Sequence, residues 1–148
     1  MKQSDEQNAV RLLQAADMFR ARLAGEFAAV HGISVNEYLM LKHLAQAAKT
    51  RLPRVELARR MHVSASTVTR MAAPMEKIGL VARETDERDA RTAFVVLTQT
   101  GQARLDEAEA TFAKQAGYLF EDRWTDTERG SFADLIGRLA QRAPGPLT

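Results

Sequence analysis

The tightest constraint on how this chain folds is the run at residues 81–97, VARETDERDARTAFVVL. Two apolar, β-branched segments flank a six-residue polar tip, Asp86, Glu87, Arg88, Asp89, Ala90 and Arg91. β-Branched side chains suit a pleated, half-buried surface, while the charges at the tip stay in water, so the run reads as a two-stranded hairpin with a long loop. Directly before it, residues 63–80 form an amphipathic segment that opens near Ser64 and closes at Gly79, which are helix start and stop signals.

Upstream, Pro53 stands where a helix can begin, since its missing N–H is no loss in a first turn. The loop at residues 49–53 breaks the preceding helical pattern. Residues 54–61 (RVELARRM) are too short to be helical alone and need packing, expected through Val55, Leu57, Ala58 and Met61. A turn through His62 then leads to Ser64, a good N-cap, with Val68, Met71, Met75 and Ile78 as the buried stripe of the next helix. Two short helices and a tight turn, followed by the hairpin, read as a winged helix-turn-helix. Pro74 lies inside the second helix, where a proline costs roughly 3 kcal/mol, so the helix either kinks there or ends early, near Ala72 or Ala73.

Long helices are expected at both ends of the chain. Ser4 with Gln7 makes a capping box, followed by Leu12, Ala16, Phe19, Leu23, Phe27 and Val30 at helical spacing up to Gly32. Such a helix spans on the order of 35 to 40 Å at 1.5 Å per residue. Ser34 with Glu37 opens a second helix reaching about Ala48. Thr98 caps a long helix with Leu105, Phe112 and Leu119 every seven residues, beside Ala108 and Ala116. Trp124 marks a loop, Thr125 with Glu128 opens a last helix bearing Phe132, Leu135, Ile136 and Leu139, and Pro144, Gly145 and Pro146 end the pattern. The expected fold is therefore mainly α: six helices and one hairpin in a single domain over residues 1–148. Residues 34–98 form a winged helix-turn-helix lobe, and residues 4–31 and 99–142 supply dimerisation helices, with Leu12, Phe19, Leu105, Phe112, Leu119, Phe132, Leu135 and Leu139 at the interface. A twofold homodimer would present two recognition helices to a palindromic site with half-sites about 10 bp apart.

Composition narrows the chemistry. At 148 residues and 45% apolar side chains the chain can bury a real core. Without cysteine there is no disulfide, thiolate nucleophile or sulfur ligand. No apolar run is long enough for a membrane helix and no signal peptide pattern opens the sequence, so a cytoplasmic protein with no membrane partner is expected. Residues 54–83 hold six basic and two acidic side chains, which concentrates positive charge on the helix-turn-helix. No Gly-rich phosphate loop, nucleophile motif or paired His-acid spacing points to an enzyme, and no cofactor is called for. His31, His43 and His62 are scattered and show no metal-ligand spacing, so no metal site is assigned, although His and carboxylates alone can bind zinc.

The segments Leu57-Ala58-Arg59-Arg60-Met61-His62-Val63-Ser64-Ala65-Ser66-Thr67-Val68-Thr69-Arg70 and Met75-Glu76-Lys77-Ile78-Gly79-Leu80-Val81, then the Asp-x-Arg-Asp-x-Arg tip and Val96-Leu97-Thr98-x-x-Gly101, resemble the MarR family of bacterial transcriptional regulators. The resemblance extends over nearly the whole chain through helix order and length. It implies a homodimer that binds a double-stranded DNA operator and releases it on binding a small aromatic or phenolic effector. It also implies that Asp86 orients Arg88 into a minor groove while Asp89 and Arg91 brace the loop. Two departures stand out: His62 replaces a glycine common in the turn, and Ala72, Ala73 and Pro74 replace charged residues after Thr69-Arg70.

Arg54, Ser64, Ser66, Thr67, Thr69, Arg70, Arg83, Asp86, Arg88, Asp89 and Arg91 are the candidate DNA-contacting residues. A helix N-terminus with free N–H groups suits a phosphate, and arginine suits both guanine in the major groove and narrow, negative minor grooves. Carboxylates beside phosphates make sense as holders of arginines, with each guanidinium expected to be fixed by a carboxylate. An effector is expected between the terminal helices and the DNA-binding lobe, near Phe19, Met40, His43 and Phe112. The readings kept beside this one are a winged helix used only for protein contacts and a metal-responsive regulator.

Overall fold

The computed structural model describes residues 4–141. The end of the last expected segment at residue 142, and Pro144, Gly145 and Pro146, lie outside the described residues. In chain order come α1 (Asp5–Glu26), a π-helical turn (Phe27–His31), α2 (Val35–Gln46), a 3-10 turn (Ala48–Thr50), β1 (Arg51–Pro53), α3 (Arg54–Met61), α4 (Ala65–Lys77), β2 (Val81–Thr85), β3 (Ala93–Leu97), α5 (Gln99–Phe120) and α6 (Asp126–Gln141).

Local chemistry sets most boundaries. Capping boxes at Ser4/Gln7 and Ser34/Glu37 open α1 and α2, with each Ser hydroxyl accepting the N3 amide and each N3 side chain accepting the Ser amide. Thr125 and Glu128 do the same for α6, at 3.1 and 2.9 Å. α4 closes at Gly79, whose φ of +80° lets the Leu80 amide reach back to the Met75 carbonyl at 2.9 Å. The turn between α3 and α4 puts His62 at φ 57°, ψ 42°, a left-handed conformation that a Cβ-bearing residue adopts at some cost. His62 thus keeps the left-handed turn that a glycine would adopt freely.

The hairpin pairs Val81 with Leu97 through Thr85 with Ala93, as its pattern requires. It is part of a three-stranded antiparallel sheet rather than a free pair, because β1 adds to β3 and gives the order β1-β3-β2. The stretch read as loop therefore contains a strand. Pro53 lacks an amide donor, and on an edge strand that is tolerated. α2 ends at Gln46, two residues before the expected limit. α4 continues through Pro74 to Lys77, so the early end at Ala72 or Ala73 does not occur. Pro74 and Arg70, whose carbonyl the proline cannot bond, are both exposed residues.

One core joins the lobe to the terminal helices. Leu23 and Phe27, Tyr38, Leu41 and Leu44 of α2, Leu57 of α3, Val68 and Met75 of α4, Leu80, Val95 and Leu97 around the sheet, and Leu105 and Ala108 of α5 are all buried together. Two stripe positions depart from expectation: Val55 and Ile78 are exposed, at 59% and 54%, because α3 and α4 turn only the Leu57/Ala58 and Val68/Met75 edges inward. Val30 is exposed as well, since the π-helical turn shifts the apolar stripe of α1 out of register after Phe27.

α5 begins where the wing ends, and two residues fix that junction. The Thr98 hydroxyl accepts the Gly101 amide at 3.0 Å and donates to the Gly79 carbonyl at 2.5 Å. Gly101 itself packs against the chain so closely that a Cβ there would collide with the Leu80 carbonyl oxygen and the Leu97 side chain. The C-terminal end of α1 is fastened to α5 by the Glu26–Lys114 ion pair at 2.5 Å and by Gln115 donating to Glu26 at 2.9 Å. The Arg104 guanidinium donates to the His31 carbonyl at 2.9 Å, and the buried His31 ring meets Thr111 at 2.7 Å.

Candidate nucleic-acid interface

The first turn of α4 carries a chain of short hydroxyls. The Ser64 hydroxyl accepts the Thr67 amide at 3.2 Å and lies 3.0 Å from the Ser66 hydroxyl and 2.9 Å from that of Thr67. Ser64 and Ser66 are exposed at a helix N-terminus, where unpaired amides and the dipole favour an anion. Arg70 donates to Thr67 at 3.2 Å, which holds its guanidinium along the exposed face of the helix. Thr69 sits further round the helix and is half-buried, donating to the Ala65 carbonyl at 3.2 Å and accepting from Arg54 at 2.8 Å. That contact ties α3 to α4 and makes Thr69 a support for Arg54.

The wing tip shows why the Asp-x-Arg spacing occurs twice. Asp86 Oδ1 accepts the Arg88 amide at 2.9 Å, and Asp89 Oδ1 accepts the Arg91 amide at 3.0 Å. Each aspartate closes a turn by capping the amide two residues ahead, a short-range bond that aspartate is the right length to make. The loop is further closed by Asp86 N–H to the Thr92 carbonyl at 3.1 Å and Thr92 N–H to the Asp89 carbonyl at 3.0 Å. The sequence reading is corrected in one respect: Asp86 grips the backbone of Arg88 and not its guanidinium. Only the Arg91 side chain meets its carboxylate, at 3.4 Å, while 94% of that side chain remains exposed. The Arg88 guanidinium has no hydrogen bond or ion pair among the described residues and is free to meet an external acceptor.

Arg83 lies at the base of the wing, 3.7 Å from Glu76 of α4 and mostly exposed. Arg54, Thr69, Glu76 and Arg83 border a cavity of about 100 Å³ between α4 and the sheet, room for a few waters. Arg51 was not among the sequence candidates. It donates to Glu84 at 2.7 Å and stacks 4.5 Å from the centre of the Phe94 ring. Only knowledge of β1 places it beside the wing.

Of the four residues expected near an effector, Phe19 and Phe112 come together. Phe19 meets Phe112 edge-on at 5.6 Å, and Phe112 stacks on Tyr38 at 5.1 Å, with Phe27 edge-on to Tyr38 at 5.1 Å. Lys42 Nζ stands 5.8 and 5.7 Å from the Tyr38 and Phe112 rings. The Tyr38 hydroxyl is buried with no hydrogen-bond partner, a state that costs about 1–3 kcal/mol. Burial, with repulsion from Glu109, pushes its pKa up to about 12. Met40 is sealed in the core and adds packing only. His43 is half-buried, and burial, followed by Arg60 and His62, holds its pKa below the usual 6.5. Tyr38 was missed because an aromatic on an apolar stripe looks like any core residue.

Of the expected interface residues, Leu105 is already buried inside the protomer and cannot also face a partner. Phe19, Phe112 and Leu119 are half-buried, whereas Leu12, Phe132, Leu135 and Leu139 are exposed. Phe132 also packs on Phe120 and Trp124, at 5.4 and 6.1 Å, which braces the α5–α6 turn. Among the described residues no three His or carboxylate side chains gather as a metal site, and no helix is long and apolar enough to cross a membrane.

Comparison with known proteins agrees with this geometry. A model of the MarR family matches residues 33–93, which span α2 to the first residue of β3. The HTH-type transcriptional repressor YetL of Bacillus subtilis (strain 168) is 30% identical over 112 residues, covering 75% of this chain and 66% of YetL. Among solved structures, Sco3205, a MarR family transcriptional regulator from Streptomyces coelicolor in complex with DNA, superposes with a TM-score of 0.82 at 24% identity, covering 95% of this chain and 89% of that one. CouR from Rhodococcus jostii RHA1 bound to p-coumaroyl-CoA gives 0.81 at 20% identity, over 98% of this chain and 100% of that one. These relatives are regulators, not enzymes, and with the wing motif, the hydroxyl-rich α4 and the terminal helices in their places, the chain belongs to the MarR family of transcriptional regulators.

Proposed function

We propose that this protein is a repressor that binds a palindromic DNA operator as a homodimer and leaves it when a small aromatic or phenolic ligand binds. Residues 34–98 act as the DNA-binding lobe, and the helices before and after it join the two protomers. The observation that carries the reading is the pair of aspartate-closed turns that hold Arg88 at the end of a hairpin with its guanidinium unengaged by the described residues. A preformed loop loses little freedom on entering a minor groove, where arginine meets strong negative potential. α4 lies in the major groove, with Ser64 and Ser66 on phosphate and Thr67 and Arg70 toward base edges. Arg54 and Arg83 flank it as phosphate contacts, while Thr69 supports Arg54. On this reading the protein works in the cytoplasm, where a regulator of this family meets chromosomal DNA.

The ligand reading rests on Tyr38. Its unpartnered hydroxyl, the Phe19 and Phe112 rings and the Lys42 ammonium together suit an aromatic molecule with an anionic or acceptor group. YetL being a repressor and CouR being bound to p-coumaroyl-CoA support the same class of behaviour. A ligand wedged between α1, α2 and α5 would alter the spacing of the two α4 helices.

Operator sequences are first selected from random duplex DNA and then used to measure affinity against salt. Arg88→Ala is expected to weaken binding about tenfold and to lower the salt slope by about one, with circular dichroism and oligomeric state unchanged. Unchanged affinity and slope would show that the wing does not contact DNA. Addition of hydroxybenzoates or hydroxycinnamates is expected to release the operator from the wild type and less so from Tyr38→Phe.

A further inference from the structure

The sheet has an inner and an outer face. Leu52, Val81, Val95 and Leu97 are buried toward the core, so the alternate positions, Arg51 on β1, Glu84 on β2 and Phe94 on β3, share the outer face. Arg51 reaches diagonally across the central strand: its guanidinium lies 4.5 Å over the Phe94 ring and its Nη1 donates to Glu84 at 2.7 Å. One side chain thereby connects all three strands. β1 runs straight into α3 at Arg54, and Glu84 stands two residues before Asp86, where the tip begins. On the inner face the matching link from the wing to α4, Arg83 to Glu76, is looser at 3.7 Å.

From this arrangement we infer that Arg51 is a positioning residue for DNA recognition, a clasp that sets the inclination of the wing relative to α3 and α4 so that Arg88 meets its groove while α4 occupies the adjacent one. The inference rests on the DNA-binding reading above. A partly exposed ion pair contributes little to folding, so the clasp matters for geometry more than for stability. A hairpin on its own is marginally stable and pivots about its base, and β1 pairs with β3 over three residues only. The planar guanidinium, stacked on one face and hydrogen-bonded at its edge, restricts that pivot in a way that a lysine ammonium cannot.

The test is a double-mutant cycle on full-length protein with the selected operator: wild type, Arg51→Ala, Arg88→Ala and the pair. Arg51→Ala is expected to weaken binding about fivefold and Arg88→Ala about tenfold, with the pair close to Arg88→Ala alone, because a misplaced wing costs nothing once its reader is gone. Glu84→Gln, which keeps the shape of the wing, should reproduce the Arg51→Ala loss in weaker form, and Arg51→Glu combined with Glu84→Arg should recover most of it. Independent, multiplying losses, or a salt slope lowered by Arg51→Ala in the Arg88→Ala background, would mean that Arg51 touches phosphate itself and would overturn the positioning role. Full binding by Arg51→Ala and Glu84→Gln would overturn it too. A silent Arg88→Ala would instead remove the wing reading, and the clasp with it.

Discussion

The DNA-binding lobe and the terminal helices handle the same kind of side chain in opposite ways. In the lobe, Tyr38, Leu41, Leu57, Val68, Met75 and Leu80 are almost wholly buried within one protomer. α6, of similar composition, has no buried residue: Leu135 and Leu139 are 57% and 59% exposed, and on α1 Leu12 and Leu13 are 44% and 65% exposed. Isolated exposed leucines are ordinary, but a row of them along two helices at opposite ends of the chain is not. The lobe's core, closed by Leu23, Phe27, Leu105 and Ala108 from the inner parts of the terminal helices, is complete in one copy of the chain. The end helices present an apolar surface that a second copy would cover, which is the basis for proposing them as the dimer interface.

The comparison can be broken most directly on the side of the terminal helices. Leu135→Glu with Leu139→Glu should weaken self-association by on the order of a thousandfold, from burial of about 2 kcal/mol per leucine plus charge repulsion, while the lobe keeps its fold. Sedimentation at several concentrations reads this, and an unchanged dimer would place the interface elsewhere. Next in size is a lesion inside the lobe. Gly101→Ala drives a methyl into the Leu80 carbonyl and the Leu97 side chain, and is expected to cost about 3 kcal/mol of folding free energy in urea unfolding. A tolerated alanine would mean that the junction of wing and α5 can slide.

The smallest effect concerns pH. Burial keeps His43 below its usual 6.5, so the unfolded chain takes up a proton first as pH falls. Its contribution is therefore present above about pH 6.5 and is lost as pH drops through the lower folded value. His43→Gln should flatten the stability profile slightly as pH falls below about 6.5, in urea unfolding measured across that range. A profile unchanged by the substitution would assign the acid sensitivity to other groups.

Five helix starts were legible from a hydroxyl, paired in three of them with an acid or amide three places on: Ser4, Ser34, Ser64, Thr98 and Thr125 all cap the helices they precede. The hairpin was legible from its β-branched flanks. β1 was not, since three residues ending in proline carry no strand signal and exist only because β3 offers an edge. Nor were the exposure of Val55 and Ile78, the burial of Leu105 or the ring cluster at Tyr38, which depend on how neighbouring helices lie. At the candidate site, the residue types and the Asp-x-Arg repeat were plain, but Asp86 bonds the Arg88 amide where its guanidinium was expected, while Asp89 meets both the amide and the side chain of Arg91.

The sequence by itself determined the order of the six helices and the hairpin, five of the helix caps and the closed turns of the wing tip, because those rest on local patterns and on bonds between residues two to four positions apart. Tertiary structure alone decided which apolar side chains the protomer buries and that Arg51 meets Glu84 and Phe94, 33 and 43 positions further along the chain. Contacts at that separation follow from strand pairing and helix packing, and no local pattern encodes them.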